Sequence, residues 1–128
     1  MGVIETFEDL DVYQLALELR QEIFQMSKRF PKEETYSLTD QVRRSSRSGG
    51  ANITEAWSKR RYPAHFISKL SDSDGEQNET RRWIKSALLC NYLAQDEHDV
   101  LLTKCQVIGR KLGNMMKNSE NWILRESA

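Results

Sequence analysis

Apolar residues recur every three or four positions in four successive segments of this chain, and this spacing constrains the fold more than any other feature. It places apolar side chains on one side of an α-helix, where a neighbouring helix can bury them. The 128 residues include only 2 Pro and 6 Gly, few turn-forming residues for a sheet protein. The sequence therefore predicts a single all-α domain over residues 1–128, with helices at about 9–30, 38–60, 63–94 and 98–117.

The links between the predicted helices are short. The first covers residues 31–36, after Pro31 has stopped helix one, and Pro63 suits the first turn of helix three. Short links return the chain beside the helix it has just left. The predicted architecture is an antiparallel up-down-up-down four-helix bundle.

Helix one is expected to bury a single apolar stripe. Its predicted members are Leu10, Tyr13, Leu17, Phe24 and Phe30, with Ala16 and Ile23 beside them. Asp9 is expected to cap the first turn, since a carboxylate can accept hydrogen bonds from the unpaired backbone N–H groups of a helix start.

Helix two carries a local excess of positive charge. Residues 41–62 contain six basic residues and one acidic residue, a net charge of +5, whereas residues 1–40 carry four basic and nine acidic residues, a net charge of −5. Arginine forks bind phosphates well, and Trp57 and Tyr62 lie among them as stacking platforms for unpaired bases. The predicted nucleic-acid-binding residues are Arg43, Arg44, Arg47, Lys59, Arg60 and Arg61. The alternative readings are a buried Trp57 and basic residues that complement the helix dipole.

A second polar pattern also follows helical spacing along helix two. It places opposite charges one turn apart, as at Asp40 and Arg44. The small residues from Ser45 to Ala51 are expected to let a neighbouring helix approach closely, and the carboxylates in the polar centre of helix three are expected to meet the arginines. The predicted structural or interface residues are Asp40, Asn52, Glu55, Glu76 and Glu79. A solvated face is the alternative.

The sequence gives only weak indications of a catalytic site. Glu76 and Glu79 lie one turn apart, which leaves a metal-dependent hydrolase as an alternative, but His65 and His98 are isolated and no Glu-x-x-His occurs. We therefore expect neither an enzyme nor a cofactor or metal.

No apolar run reaches the length of a membrane span, so we expect a cytoplasmic protein with no membrane partner. In that compartment we expect reduced, packed thiols at Cys90 and Cys105.

Several short motifs together carry a family resemblance over roughly residues 7–123. They are FEDLDVY at 7–13, FPKEE at 30–34, YSLTDQVRRS at 36–45, NITE at 52–55, FISKL at 66–70 and the GE…ET pattern at 75–80. This combination resembles the four-helix bundle family that includes the protein encoded in intervening sequences of bacterial large-subunit ribosomal RNA genes. Gly50 stands where many relatives have proline, and Glu55-Ala56 where many have Glu-Gly.

The resemblance implies a non-enzymatic bundle that assembles as a ring-like homo-oligomer, a homopentamer, with a basic channel or surface. Its retroelement relatives, accessory proteins that bind RNA and a reverse transcriptase, favour RNA, DNA or a ribonucleoprotein as the partner. Carried onto this chain, it implies Arg43 and Arg44 as basic contacts and Asp40, Asn52, Glu55, Glu76 and Glu79 as interface partners. The alternative is a protein-interaction scaffold in which the same charges form subunit contacts.

Overall fold

The computed structural model describes residues 3–124, and within that range all regular structure is helical. The four long helices are α1 (Asp11–Ser27), α2 (Asp40–Ser58), α3 (Pro63–Leu89) and α4 (Gln95–Lys117). Short helical turns flank them at Phe7–Asp9, Lys32–Glu34 and Ser119–Asn121, and a π-helical segment at Thr35–Thr39 leads directly into α2. The predicted all-α class is confirmed.

Each long helix packs against two others around one apolar core. The most extensive packing joins α2 to α3, followed by α3 with α4, α1 with α2, and α1 with α4. Ile23, Ile53, Leu70, Ile84 and Leu112 are completely buried, so all four helices contribute to the same core. None of the described helices combines the length and the apolar character that crossing a bilayer requires.

The start of α1 differs from the prediction. The Asp9 carboxylate accepts hydrogen bonds from the backbone N–H groups of Glu5 and Thr6, at 2.9 and 3.1 Å, and these bonds lower the pKa of Asp9. Asp9 therefore fixes the turn that precedes α1 and does not cap α1 itself. That helix begins at Asp11 and ends at Ser27, because the chain from Lys28 to Phe30 continues only as a tighter turn.

The link between α3 and α4 is also longer than predicted. Helix α3 ends at Leu89 instead of residue 94, and Asn91 adopts a left-handed backbone conformation with φ of 63°. Asparagine tolerates this conformation better than most residues and so permits the turn after α3. Helix α4 starts at Gln95, three residues earlier than predicted, where the Glu97 carboxylate accepts the backbone N–H of Ala94 at 3.0 Å.

The predicted stripe on helix one is only partly buried. Leu10, Ala16, Ile23 and Phe30 belong to the core, but Tyr13 and Phe24 are half-buried and Leu17 is 40% exposed. The remaining core positions on α1 are Val12, Leu19 and Met26. Because α1 packs against both α2 and α4, its buried surface also includes these three residues, while Tyr13, Leu17 and Phe24 lie along the α1–α2 edge.

The small residues of α2 do permit close packing against α3. The Ser73 hydroxyl donates to the backbone carbonyl of Gly49 at 2.8 Å, and the hydroxyls of Ser45 and Thr80 lie 2.8 Å apart. Ser45, Ser73 and Thr80 are all essentially inaccessible to solvent. The polar centre of α3 is therefore buried where its hydroxyls find partners on α2, which offsets the cost of removing them from water.

The two thiols differ, contrary to the prediction that both are packed. Cys105 is buried in the core, which raises its pKa to about 12, whereas Cys90 is exposed at the end of α3. Because the thiolate is the reactive form, we expect a disulfide reagent to modify Cys90 in the native protein and Cys105 only after unfolding. Thiol titration of the native and denatured chain, and of the Cys90→Ser variant, measures how many thiols react in each state and which they are. Rapid reaction of both thiols in the native chain would contradict the packing of Cys105.

Candidate nucleic-acid interface

Two of the predicted arginines lie against α1. The Arg43 guanidinium carbon is 4.8 Å from the centre of the Phe24 ring, and its Nε donates to the Ser27 hydroxyl at 2.8 Å. The Arg47 guanidinium carbon lies 5.9 Å from the same ring centre. Cations are attracted to the face of an aromatic ring, so the groups that hold both side chains in place are neutral.

Two further basic residues join them, Arg20 within α1 and Lys28 directly after it. The Lys28 ammonium lies 4.8 Å from the centre of the Phe24 ring, and Arg20 lines a small cavity together with Arg47. We call Arg20, Lys28, Arg43 and Arg47 the cationic stripe. Among residues 3–124, none of the four forms an ion pair with a carboxylate.

The arrangement of acidic residues on α1 explains why the cationic stripe is not neutralised. Glu18 and Glu22 both accept from Lys104 on α4, at 2.7 and 3.0 Å. Asp11 pairs with Lys111, also on α4. All three carboxylates of α1 therefore form ion pairs with lysines of α4. The cations at the α1–α2 edge are left without a partner from α1.

Arg44 lies on the opposite side of α2 and is paired. Its Nη1 is 3.3 Å from the Glu76 carboxylate on α3. Further along the same two helices, Lys69 lies 2.9 Å from Glu55, an interaction that lowers the pKa of Glu55 and raises that of Lys69. These contacts place Arg44, Glu55 and Glu76 in ion pairs between α2 and α3.

The other residues predicted for interface contacts do not join that set. The Asn52 amide donates to the Ser48 carbonyl of its own helix at 3.0 Å, and Glu79 lies 3.5 Å from Arg82 one turn along α3. Asp40 is exposed, and no ion pair to it occurs within residues 3–124. The polar pattern along α2 thus divides into two ion pairs with α3 and local hydrogen bonds.

The basic cluster at the end of α2 is separate from the cationic stripe. Arg60 lies 3.4 Å from the centre of the Trp57 ring and donates to the Trp57 carbonyl, and its partial burial lowers its pKa. One face of Trp57 is therefore covered by Arg60, which argues against the predicted role of Trp57 as a stacking platform. Lys59, Arg61 and Tyr62 are exposed.

The described residues contain no group of carboxylates that could bind a metal ion. No group of three or more His, Cys, Asp or Glu side chains suited to hold a metal ion occurs between residues 3 and 124. Glu76 and Glu79, the pair considered for hydrolysis, each lie beside an arginine.

Sequence reasoning did not assign Arg20 and Lys28 to the interface. Both follow the helical spacing of Tyr13, Leu17 and Phe24, the stripe that was predicted to be buried. A stripe that contains two cations at regular spacing is typical of a helix edge, and this was the signal available in the sequence.

Comparisons with known proteins agree with the family resemblance. The structure is similar to the crystal structure of a protein of unknown function from Bacteroides thetaiotaomicron. That protein is described as a member of the S23 ribosomal protein family. The TM-score is 0.75 at 28% sequence identity, and the match covers 84% of this chain and 96% of the other. No curated protein matches the sequence. The family model for the 23S rRNA-intervening sequence protein matches residues 8–114, most of the chain, so this protein belongs to that family.

Proposed function

We propose that this protein is a non-enzymatic, oligomeric four-helix bundle that binds RNA or DNA, alone or within a ribonucleoprotein, through the cationic stripe. One observation carries the proposal: four basic side chains line the α1–α2 edge without a carboxylate partner in the described residues, whereas ion pairs join α2 to α3 and α1 to α4. Nucleic-acid affinity depends mainly on such cations, because binding releases counterions from the phosphates.

The side chains of the cationic stripe are also held in position. Phe24 contacts three of them and Ser27 accepts from Arg43, so these side chains have fewer conformations to lose on binding. Immobilising a long side chain at an interface costs about 0.5–1.5 kcal/mol. Contacts that already restrict the arginines reduce this cost, which favours a binding surface over an ordinary solvated face.

The assembly is part of the proposal. The start of α2 lies beside the end of α1 at Ser27 and Arg43, and beside the second half of α3 at Ser45 and Thr80. The start of α1 pairs with the second half of α4 at Asp11 and Lys111, and these contacts support an antiparallel up-down-up-down bundle. Tyr36 and Val100 are 84% and 56% exposed, so these large side chains are available for contact with further copies. We propose a ring-like homo-oligomer, a homopentamer, in the cytoplasm.

Nucleic acid that accompanies the native protein during purification provides the first test. We expect the ultraviolet absorbance ratio of protein purified at low salt to fall after nuclease treatment. An Arg43→Ala/Arg47→Ala variant is expected to carry much less nucleic acid. A ratio that is typical of pure protein and unchanged by nuclease would oppose the proposal.

The second candidate is a protein-interaction scaffold in which the same charges form subunit contacts. The ion pair between Arg44 and Glu76 joins two helices of one chain, so Arg44 already has a partner within the subunit. This pair speaks against a subunit contact through Arg44. We expect Arg44→Ala to leave the molar mass by light scattering unchanged and to lower the free energy of unfolding by less than about 1 kcal/mol, as for exposed ion pairs. A shift to monomer would favour the scaffold.

A further inference from the structure

A small cavity interrupts the α1–α2 edge beside the cationic stripe. It has a volume of about 150 Å³, and its lining includes Tyr13 and Leu17 from α1 and Gly50 from α2. A Cβ atom added at Gly50 would lie 3.7 Å from the Tyr13 ring, so the missing side chain leaves space directly beside that ring. Gly50 thus leaves one side of the cavity free of a side chain.

The lining combines two kinds of chemistry. Tyr13 and Leu17 supply aromatic and apolar surface, while Arg20 and Arg47 contribute one cation from each helix. Neither arginine is paired with a carboxylate in the described residues. A suitable ligand therefore has a flat ring whose face can contact Tyr13 and Leu17, and a negative charge close to that ring.

The size of the cavity restricts that ring. A volume of about 150 Å³ is close to that of a cavity that holds benzene, a single six-membered ring. A pyrimidine base is such a ring, and the phosphates of its strand supply the adjacent negative charge. Free phosphate would leave the Tyr13 and Leu17 surface unused, and a base-paired duplex keeps its bases stacked inside the helix.

We infer that the cavity beside Tyr13 and Gly50 holds one unpaired pyrimidine base of a single-stranded nucleic acid, with flanking phosphates on Arg20 and Arg47. This inference rests on the proposed function and adds to it that the strand is unpaired at the site. Stacking on aromatic side chains is how proteins commonly hold unpaired bases.

Substitutions at Gly50 test the cavity without removing a charge. Gly50→Leu fills the space beside Tyr13, whereas Gly50→Ala adds only a methyl group at an ordinary contact distance and serves as the matched control. Both residues favour helix more than glycine does, so thermal unfolding should show folded proteins. The probes are labelled oligouridylate, oligoadenylate and an RNA hairpin stem, with binding followed by fluorescence anisotropy.

We expect wild type and Gly50→Ala to bind oligouridylate more tightly than oligoadenylate. Gly50→Leu should lose about tenfold in affinity for oligouridylate, within the range for one stacked base, and bind the hairpin as wild type does. Unchanged oligouridylate binding, or an equal loss for the hairpin, would refute the base site while leaving the proposed function intact. If wild-type protein binds none of the probes, the proposed function fails and the base site fails with it.

Discussion

Simultaneous replacement of Arg20, Arg43 and Arg47 by alanine is expected to lower the affinity for single-stranded RNA by roughly 100-fold or more at low salt. The three guanidinium groups lie along one edge and are not neutralised by carboxylates in the described residues. If each loses a charge-assisted contact worth about 1 kcal/mol or more, the combined loss reaches that size. Fluorescence anisotropy with a labelled oligonucleotide measures it.

A control with the same change in net charge separates position from charge. Lys85, Arg110 and Lys117 are exposed on α3 and α4, and their combined replacement by alanine also removes three positive charges. We expect this control to bind within about threefold of wild type, because long-range attraction between exposed charges is screened over about 10 Å in ordinary salt. Equal losses in the two variants would mean that overall charge, and not the cationic stripe, determines binding.

The stability of the triple variant needs its own check. Arg43 donates to the buried Ser27 hydroxyl, but that hydroxyl also donates to the Phe24 carbonyl and keeps this bond without Arg43. We therefore expect the loss of one hydrogen bond to cost about 1 kcal/mol and to leave the variant folded. Circular dichroism at the assay temperature shows whether the variant is folded.

The largest expected effect on folding comes from Leu70. Its side chain is completely buried in the core, on the helix that packs against both α2 and α4. Leu70→Ala is expected to lower the free energy of unfolding by about 2–5 kcal/mol through lost apolar burial and the remaining cavity. Denaturant unfolding at a fixed protein concentration measures the change.

Leu89 offers a matched control on the same helix. It is 72% exposed, so Leu89→Ala removes the same atoms from a position that is largely in solvent. We expect a change within about 0.5 kcal/mol, as for ordinary surface substitutions. Similar losses at Leu70 and Leu89 would contradict the packing of α3 described above.

The core of α2 could be predicted from the sequence, whereas that of α1 could only partly be predicted. Helix two has few apolar residues, so Leu38, Val42 and Ile53 define one side, and all three are buried. Helix one is apolar over a wide arc, so spacing alone allows several orientations. Its position between α2 and α4 selects Leu19 and leaves Leu17 40% exposed, and the sequence does not show which helices will be its neighbours.

The candidate site shows the same limit for charges. The basic excess of helix two is visible in the sequence, but the neutralisation of a given arginine depends on the carboxylates of adjacent helices. Arg44 meets Glu76, while Arg43 and Arg47 face an edge of α1 whose carboxylates are turned towards α4. That distinction depends on tertiary packing, so it could not be made from helix two alone.

The salt dependence of RNA binding tests the central claim most directly. For single strands, the logarithm of the binding constant falls with the logarithm of salt concentration by about 0.7 per phosphate contact. With four cations in the stripe, we predict a slope near −3 for wild type, and near −1 for the Arg20, Arg43 and Arg47 triple variant, by the same rule of about 0.7 per contact. A wild-type affinity that does not change with salt, or the same slope in both proteins, would contradict nucleic-acid binding through the cationic stripe.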